Sequence, residues 1–341
     1  MPYIQEEVIF YNKDTTLAGT LTLPRTSGRH PAVVLLHGSG PLNRDQEILG
    51  MKPFCTIADH LTRRGVAVLR YDSRGVGGSS GAPYQFTLPD ISEDALAAIS
   101  YLETRNDINP TQIGLCGQSQ GAIVAPLASS KSKGVAFIIC LAGIGVPGEE
   151  AHIAQMTSIE RANGASAQEI EGLVGNMKQI ISLIRKDKSE AEIKPLVTTL
   201  LRNQYISMSQ KNDKETKEDS EPADTHINCV LSMYKSSWFR FFIDYDPQPS
   251  LEQVKCPALF LFGELDTQVP VEINRMAIWE VMKKSGHNDY TLKTFHKANH
   301  LFQSADTGSP SEYLSLKKEF VPGLLEFMSD WVLKRVDIVT Q

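Results

Sequence analysis

Several features are absent from this sequence of 341 residues, and each absence excludes a class of protein. No uninterrupted apolar run approaches the roughly 20 residues of a membrane-spanning helix. No cluster of Lys and Arg is interleaved with aromatic residues, and the formal net charge is −6. Both observations are unfavourable for binding to nucleic acid or to an anionic membrane surface. We therefore expect neither nucleic acid nor a membrane as a partner, while a homo-oligomeric state stays open.

Cysteine is scarce, and its spacing is not that of a metal site. The five cysteines are odd in number and lack C-x-x-C spacing, so no zinc site is predicted. Cys116, Cys140 and Cys256 lie in or beside apolar runs, which is typical of buried free thiols. The glycine-rich segment 70–81 contains neither a P-loop nor a dinucleotide-binding glycine motif. We interpret it as a structural turn and predict that the protein uses no cofactor.

The first ten residues, MPYIQEEVIF, also lack a recognisable targeting signal. A secretory signal peptide would begin with a basic segment and continue with an apolar one. Their absence predicts a cytoplasmic location, although a secreted protein that had lost its leader would have the same sequence.

Apolar runs and helical periods alternate along much of the sequence. The runs 32–38 (AVVLLHG) and 256–263 (CPALFLFG) have the continuous aliphatic or aromatic character of strands covered on both faces. Helical periods over 53–64 and 88–104 separate further strand-like runs. This alternation predicts an α/β fold with a mostly parallel sheet flanked by helices. Two alternating segments around a polar turn at 13–15 add an N-terminal antiparallel hairpin.

The alternation of strands and helices stops after Gly145, where a long helical and polar stretch begins. We interpret 146–245 as a helical cap inserted into a core domain that consists of 1–145 and 246–341. Within the cap, the charged segment 209–222 predicts a solvated loop. The core then continues with a helix over 271–284, a strand over 289–295 and a final helix over 317–333.

The pentapeptide Gly117-Gln118-Ser119-Gln120-Gly121 lies between a strand-like run and a helical stretch. A strand that turns sharply into a helix exposes one side chain at its apex, and small flanking residues make room for the turn. Ser119 occupies that apex and is therefore the predicted nucleophile. Backbone N–H groups at the start of the helix point toward the group that the serine attacks.

A serine hydroxyl needs a base to activate it, and the base needs an acid to orient it. Asp266 lies just beyond one buried strand and His300 lies in the loop beyond the last one. The order Ser, Asp, His along the chain is that of the α/β-hydrolase architecture. Glu264 is the rival acid and His296 the rival base; we favour Asp266 and His300 because of their positions relative to the strand ends.

Other polar residues near the predicted strand ends have less direct interpretations. Asp72 is a weak alternative acid, and it is better explained, with Arg74, as bracing loops beside the site. His37 is interpreted as bracing its own loop. The other histidines have no partner pattern and are expected to be ordinary surface or core residues: His30, His60, His152, His226 and His287.

The second half of the predicted machinery is an oxyanion hole. The segment His37-Gly38-Ser39-Gly40 follows the first buried strand, where backbone N–H groups approach the nucleophile turn. The N–H groups of Ser39 and Gln120, with Gly40 as a further candidate, are predicted to hold the developing negative charge. One such donor typically contributes about 3 kcal/mol of transition-state stabilisation.

Taken together, these segments resemble the serine esterases of the α/β-hydrolase superfamily. The resemblance is closest to the dienelactone-hydrolase-like and prolyl-oligopeptidase-related esterases, a group with acyltransferase and acyl-CoA thioesterase relatives. It rests on HGSGP (37–41), YDSRGVGGSSG (71–81), GQSQG (117–121), the run 236–270 and ANHLF (298–302). It implies Ser119, Asp266 and His300 as the catalytic triad, with Ser39 and Gln120 as oxyanion donors.

The resemblance implies hydrolysis of carboxylic esters with small to medium acyl groups, so the expected partner is a small acyl ester. The thioesterase relatives usually carry cysteine where this chain has Ser119, which favours oxygen esters. Acyl-CoA thioesterase and aminopeptidase activities are the alternatives, with Glu149 and Glu150 as weak candidates for binding a substrate amine. A non-catalytic receptor is less favoured. Packing of the cap onto the core is the favoured interpretation of the aromatic residues Trp238, Phe239, Phe241 and Phe242, and contact with the acyl group of the substrate is the alternative.

Overall fold

The structure is a computed structural model that describes residues 2–209 and 222–338. The predicted solvated loop at 209–222 lies outside the described residues, apart from its two end positions.

A single eight-stranded sheet runs through the described residues, in the order β1-β2-β4-β3-β5-β6-β7-β8. The first two strands form the predicted antiparallel hairpin, with Ile4 opposite Leu23, and β2 also runs antiparallel to β4. All remaining neighbours are parallel, which confirms the predicted α/β fold. The strands are β1 (Ile4–Asn12), β2 (Thr15–Leu23), β3 (His30–Leu36), β4 (Ala67–Tyr71), β5 (Ile108–Gln118), β6 (Ile138–Leu141), β7 (Ala258–Gly263) and β8 (Tyr290–Phe295).

The helices begin and end close to their sequence signals. For example, the second helix starts at a capping box in which the Asp90 carboxylate accepts from the Thr87 backbone N–H at 2.7 Å. The helices are α1 (Pro53–Arg63), α2 (Leu88–Glu103), α3 (Gln120–Lys131), α4 (Gly148–Ala162), α5 (Ala167–Arg185), α6 (Glu190–Ser209), α7 (Asp224–Lys235), α8 (Ser237–Asp244), α9 (Gln248–Glu252), α10 (Val271–Lys284) and α11 (Leu324–Leu333).

The predicted final helix over 317–333 was wrong at its start. Its first residues form turns, and α11 begins only at Leu324. Pro322 and Gly323 explain the difference, because proline disfavours a helical residue before it and Gly323 has a left-handed φ of 83°.

Two apolar layers cover the sheet, and alternate residues of each central strand point into opposite layers. In β3, Val33 and Leu35 belong to the cluster that includes α1 and α11, whereas Val34 and Leu36 belong to the cluster with α2 and α3. Since both faces of the strand are covered, every residue of β3 is buried. This explains why the strand has no polar alternation in its sequence.

Helices α4 to α8 follow β6 and occupy the segment that was predicted to form the cap. Each packs against the next, and α8 also contacts α2 and α4. None of the helices in the described parts of the chain combines the length and the apolar character that crossing a bilayer requires.

All five cysteines are free thiols. Cys116 and Cys140 are buried, as expected, while Cys256 is half-buried. Burial raises the pKa of Cys116 to about 12 and that of Cys256 to about 11. These thiols are therefore inert packing groups near neutral pH.

Candidate active site

Ser119 lies at the turn between β5 and α3, as the pentapeptide predicted. Its backbone has φ 56° and ψ −114°, a combination that a residue with a Cβ rarely adopts. The Ser119 N–H donates to the Leu141 carbonyl at 2.8 Å, and its own carbonyl accepts from the Ala122 N–H at 2.9 Å. These bonds hold the strained residue at the carboxyl end of β5, where its side chain is only half-buried.

The two glycines of the pentapeptide are required by space. A Cβ on Gly117 would lie 2.0 Å from the Gly121 carbonyl oxygen, and a Cβ on Gly121 would lie 2.0 Å from the Leu36 carbonyl oxygen. Helix α3 therefore approaches β3 and β5 more closely than any larger residue would allow. The nucleophile turn depends on this close approach.

Asp266 and His300 lie beyond the carboxyl ends of β7 and β8, and their side chains are in direct contact. The His300 Nδ1 atom is 2.8 Å from Asp266 Oδ2 and 3.0 Å from Oδ1. The other hydrogen bonds to Asp266 Oδ1 come from the backbone N–H groups of Gln268 and Val269, at 2.9 and 2.8 Å. Both side chains of the pair are buried, and their contact fixes the orientation of the imidazole.

The rival residues pair with each other at the surface instead. His296 Nδ1 lies 2.6 Å from Glu264 Oε2, and the His296 side chain is 79% exposed. Glu264 also accepts a hydrogen bond from the backbone N–H of Lys297 at 2.8 Å. Among the described residues, no hydrogen bond or ion pair joins either residue to the Asp266–His300 pair, and their own bonds brace the loop after β8.

Asp72 and His37 are engaged in bonds of their own. The Asp72 carboxylate receives hydrogen bonds from the Arg44 guanidinium at 2.8 and 3.2 Å. Burial alone would raise the pKa of Asp72, but the bonds from Arg44 and from backbone N–H groups lower it overall. The His37 Nε2 atom is hydrogen-bonded to the Tyr71 carbonyl, and burial lowers the pKa of this imidazole. Arg74, similarly, pairs with Asp94 at 2.7 Å.

The predicted oxyanion donors lie beside Ser119. Ser39 follows β3, Gln120 begins α3, and both line the same cavity as Ser119. In the part of the chain that the structure describes, the backbone N–H groups of Ser39 and Gln120 donate to no protein acceptor. The Gly38 N–H is different, since it donates to the Gln46 side-chain oxygen at 2.8 Å. Two donors are thus available near Ser119 for a developing negative charge.

The cavity beside Ser119 has a volume of about 340 Å³. Residues of the core and of helices α4, α6, α7 and α8 line it together. Among the described lining residues there is no Asp, Glu, Lys or Arg. The wall is mainly apolar and includes Ile123, Met156, Leu200, Val230, Trp238 and Phe242.

Most of the aromatic cluster contributes to this wall in addition to packing the cap onto the core. Trp238, Phe239 and Phe242 are buried and line the cavity, whereas Phe241 stacks on Tyr245 with ring centroids 5.7 Å apart. The Trp238 indole also donates a hydrogen bond to the Gln120 side-chain oxygen. The cluster therefore joins helix α8 to the nucleophile turn as well as packing against it.

Sequence reasoning missed several polar residues of the site. His152 and His226, expected to be ordinary histidines, both line the cavity. Burial lowers the pKa of His152 to about 4, so its imidazole is neutral near pH 7. His152 Nε2 lies 3.4 Å from the Tyr234 hydroxyl. Both histidines lie in the helical segment 146–245, and their spacing carries no metal-ligand or catalytic pattern that could have indicated this position.

Comparisons with known proteins agree with this architecture. The sequence model of the family described as serine aminopeptidase, S33, matches residues 30–304. The chain is 27% identical over 329 residues to esterase EstD of Thermotoga maritima, covering 95% of this chain and 68% of that protein. Among solved structures, it resembles the α/β-hydrolase GrgF of Penicillium sp. sh18 with a TM-score of 0.57 and 16% identity, covering 98% of both chains. It also resembles the Pyrococcus furiosus esterase PF2001 with a TM-score of 0.56 and 16% identity, covering 98% of this chain and 91% of that one.

Proposed function

Because the chain belongs to the serine aminopeptidase S33 family of α/β-hydrolases, we propose that it is a serine hydrolase that cleaves carboxylic esters of small to medium acyl groups. One observation carries the proposal. The strained Ser119 follows β5 and the buried Asp266–His300 pair follows β7 and β8, at the carboxyl edge of the parallel part of the sheet, and Ser119 lines a cavity with no Asp, Glu, Lys or Arg among its described residues. The likeness to a protein named as an esterase supports an ester as the substrate.

The proposal gives each residue a role. Ser119 Oγ attacks the ester carbonyl carbon while the His300 imidazole takes its proton, and Asp266 holds the imidazole through Nδ1. The carbonyl oxygen becomes an oxyanion, to which the N–H groups of Ser39 and Gln120 donate. When the tetrahedral intermediate collapses, the protonated His300 gives its proton to the leaving alkoxide, and an acyl-serine remains. His300 then takes a proton from water, which attacks the acyl-serine; as this second tetrahedral intermediate collapses, His300 returns the proton to Ser119 Oγ and the acid is released.

The walls of the cavity suit the acyl group of the substrate. A volume of about 340 Å³ lined mainly by aliphatic and aromatic side chains favours an apolar acyl chain. The absence of Asp, Glu, Lys and Arg from the described lining means that a charged group would be desolvated there without a carboxylate, ammonium or guanidinium partner. The proposal is therefore restricted to uncharged acyl groups of small to medium size.

Aminopeptidase activity, which the family name suggests, is less well supported. A peptide with a free amino terminus needs an acidic partner near the scissile bond, and the two sequence candidates are elsewhere. Glu149 forms an ion pair with Arg185 at 2.6 Å, and neither Glu149 nor Glu150 is among the residues that line the cavity beside Ser119. A thioester differs from an ester only in its leaving group, so acyl-CoA thioesters remain the second candidate substrate.

The test compares matched variants on a small panel of substrates. We expect turnover of p-nitrophenyl acetate, butyrate and octanoate, and the variants Ser119→Ala and His300→Gln should lower kcat at least about 10³-fold. The matched control His296→Gln should retain wild-type kcat, because His296 is exposed and pairs with Glu264 at the surface.

Circular dichroism and the melting temperature must show that the variants fold. Octanoyl-CoA and alanine p-nitroanilide separate thioesterase and aminopeptidase activities from esterase activity. Wild-type turnover by a folded Ser119→Ala variant would refute the assignment of the nucleophile. Faster turnover of the anilide than of the esters would refute the substrate class.

A further inference from the structure

Two buried glutamines connect the three loops on which the proposed chemistry depends. The Gly38 N–H donates to Gln46 Oε1 at 2.8 Å, and Gln46 Nε2 donates to Gln118 Oε1 at 2.9 Å. Gln118 Nε2 in turn donates to the His300 carbonyl at 3.0 Å. All three hydrogen bonds are buried. We call this chain, from Gly38 through Gln46 and Gln118 to His300, the amide relay.

The direction of the amide relay is determined by its two ends. A backbone N–H only donates and a backbone carbonyl only accepts, so Gln46 must present its oxygen to Gly38 and Gln118 must present its NH₂ group to His300. Each glutamine then has one remaining group for the other, and these two groups match as donor and acceptor. Because the backbone groups at the two ends allow only this arrangement of donors and acceptors, the relay has no alternative hydrogen-bonding state.

Both glutamines are held firmly. Gln118 is the last residue of β5 and is paired with Leu141 of the neighbouring strand. Gln46 is fully buried and adopts a left-handed backbone with φ 51°, which is unfavourable for glutamine. Its backbone N–H donates to the Asn43 carbonyl at 2.8 Å. A strained, buried polar residue persists only where its surroundings hold it in place.

The ends of the relay lie next to the residues that would react. Gly38 precedes the oxyanion donor Ser39, and a Cβ on Gly38 would lie 3.6 Å from Ser119 Cβ. At the other end, the relay holds the backbone of His300 itself. A shift of about 1 Å between nucleophile, base and oxyanion donors is enough to slow an enzyme about 100-fold.

We propose that Gln46 and Gln118 are positioning residues that hold the oxyanion loop and the His300 loop in register with Ser119. They touch no substrate, and they act on catalysis by fixing the positions of the Gly38 and His300 backbones. The inference rests on the proposed function, because it assigns catalytic roles to the residues at both ends. It places one of the two determinants of the site's geometry, Gln46, in the loop before α1, and the other, Gln118, at the end of β5.

The test uses the variants Gln46→Met and Gln118→Met, which keep the volume of the side chain and remove the amide. We expect kcat for p-nitrophenyl butyrate to fall about 10- to 100-fold in each variant, with KM changed less than about threefold. The kcat of the double variant should lie within about threefold of the kcat of the less active single variant. Either substitution alone already breaks the chain of hydrogen bonds, so the second one has little left to remove. If Gln46→Met does not fold, Gln46→Asn replaces it, since asparagine tolerates a left-handed backbone but is too short to reach Gln118.

The matched control is Thr62→Val, which removes a buried hydrogen bond to Thr22 (2.7 Å) far from the relay. This variant should lose stability and keep its kcat. A purely structural role for the glutamines predicts the same result for them, so unchanged kcat in folded Gln46→Met and Gln118→Met would overturn the proposal. Multiplicative loss in the double variant would overturn the claim that the two act as a unit.

Labelling of Ser119 by a fluorophosphonate distinguishes this proposal from the proposed function. The labelling rate depends on the serine, the base and the oxyanion donors, and it requires no knowledge of the natural substrate. If wild-type protein neither labels nor hydrolyses esters, the proposed function fails. If wild-type protein labels and the folded relay variants label at the same rate, only the relay fails.

Discussion

His152 should make the stability of this protein fall steeply as the medium becomes mildly acidic. The imidazole is buried in the wall of the cavity, with the Phe239 ring 5.1 Å and the Tyr234 ring 5.8 Å from it between centroids. Burial lowers its pKa from the ordinary 6.5 to about 4, with a hydrogen bond to Gln155 opposing this only in part. The folded protein therefore does not bind a proton at His152 until the pH is near 4.

The sign and the magnitude of the effect follow from proton linkage. Between pH 6.5 and 4 the unfolded chain binds a proton at residue 152 and the folded protein does not, so the free energy of unfolding falls as the pH falls. Each pH unit corresponds to about 1.4 kcal/mol. At pH 5 the loss due to His152 is about 2 kcal/mol, and by pH 4 it reaches about 3 kcal/mol. Above pH 6.5 both states are neutral at this residue and the contribution vanishes.

Urea unfolding of the wild type and of His152→Gln measures the contribution directly. The variant loses ring packing, so its stability at pH 7.5 will be lower; the informative quantity is the change between pH 7.5 and pH 5. We expect the wild type to lose about 2 kcal/mol more than the variant over this interval. Burial also lowers the pKa of His37 and of His60, but both remain in the variant and their effects cancel. Equal pH dependence of the two proteins would refute the reasoning.

Two further substitutions test the packing around the nucleophile turn. Gly121→Ala should prevent folding or lower the free energy of unfolding by more than about 3 kcal/mol, because its Cβ would overlap the Leu36 carbonyl. The control Gly172→Ala, in an open position of α5, should raise the free energy of unfolding by about 1 kcal/mol. Urea unfolding compares the two variants. Trp238→Phe keeps a ring stacked on Phe242 but removes the N–H that donates to Gln120. We expect kcat to fall several-fold with little change in melting temperature. An unchanged kcat would contradict a role of that hydrogen bond in orienting the turn at Ser119.

Local patterns in the sequence were sufficient to predict the fold and to place the candidate site residues at one edge of the sheet. Uninterrupted aliphatic runs predict strands covered on both faces, and the carboxyl ends of parallel strands must meet at one edge. For this reason Ser119, Asp266 and His300 could be expected to lie close together although they are far apart along the chain. The structure places the Asp266 and His300 side chains 2.8 Å apart, and their catalytic role stays a prediction until the variants are measured. The start of α11 could also have been found, since Pro322 and Gly323 carry a local signal.

Other properties were decided only when distant segments packed together. Gln46 lies in a loop with no periodicity, and its partner Gln118 is 72 residues away. His152 and Trp238 lie on different helices of the predicted cap, and nothing in their own segments indicates that they face one cavity. Strands, turns and helix ends depend on residues close together in the sequence, so local sequence patterns predict them. The walls of a cavity and the partners of a buried amide depend on contacts across the whole chain, so only the tertiary structure decides them.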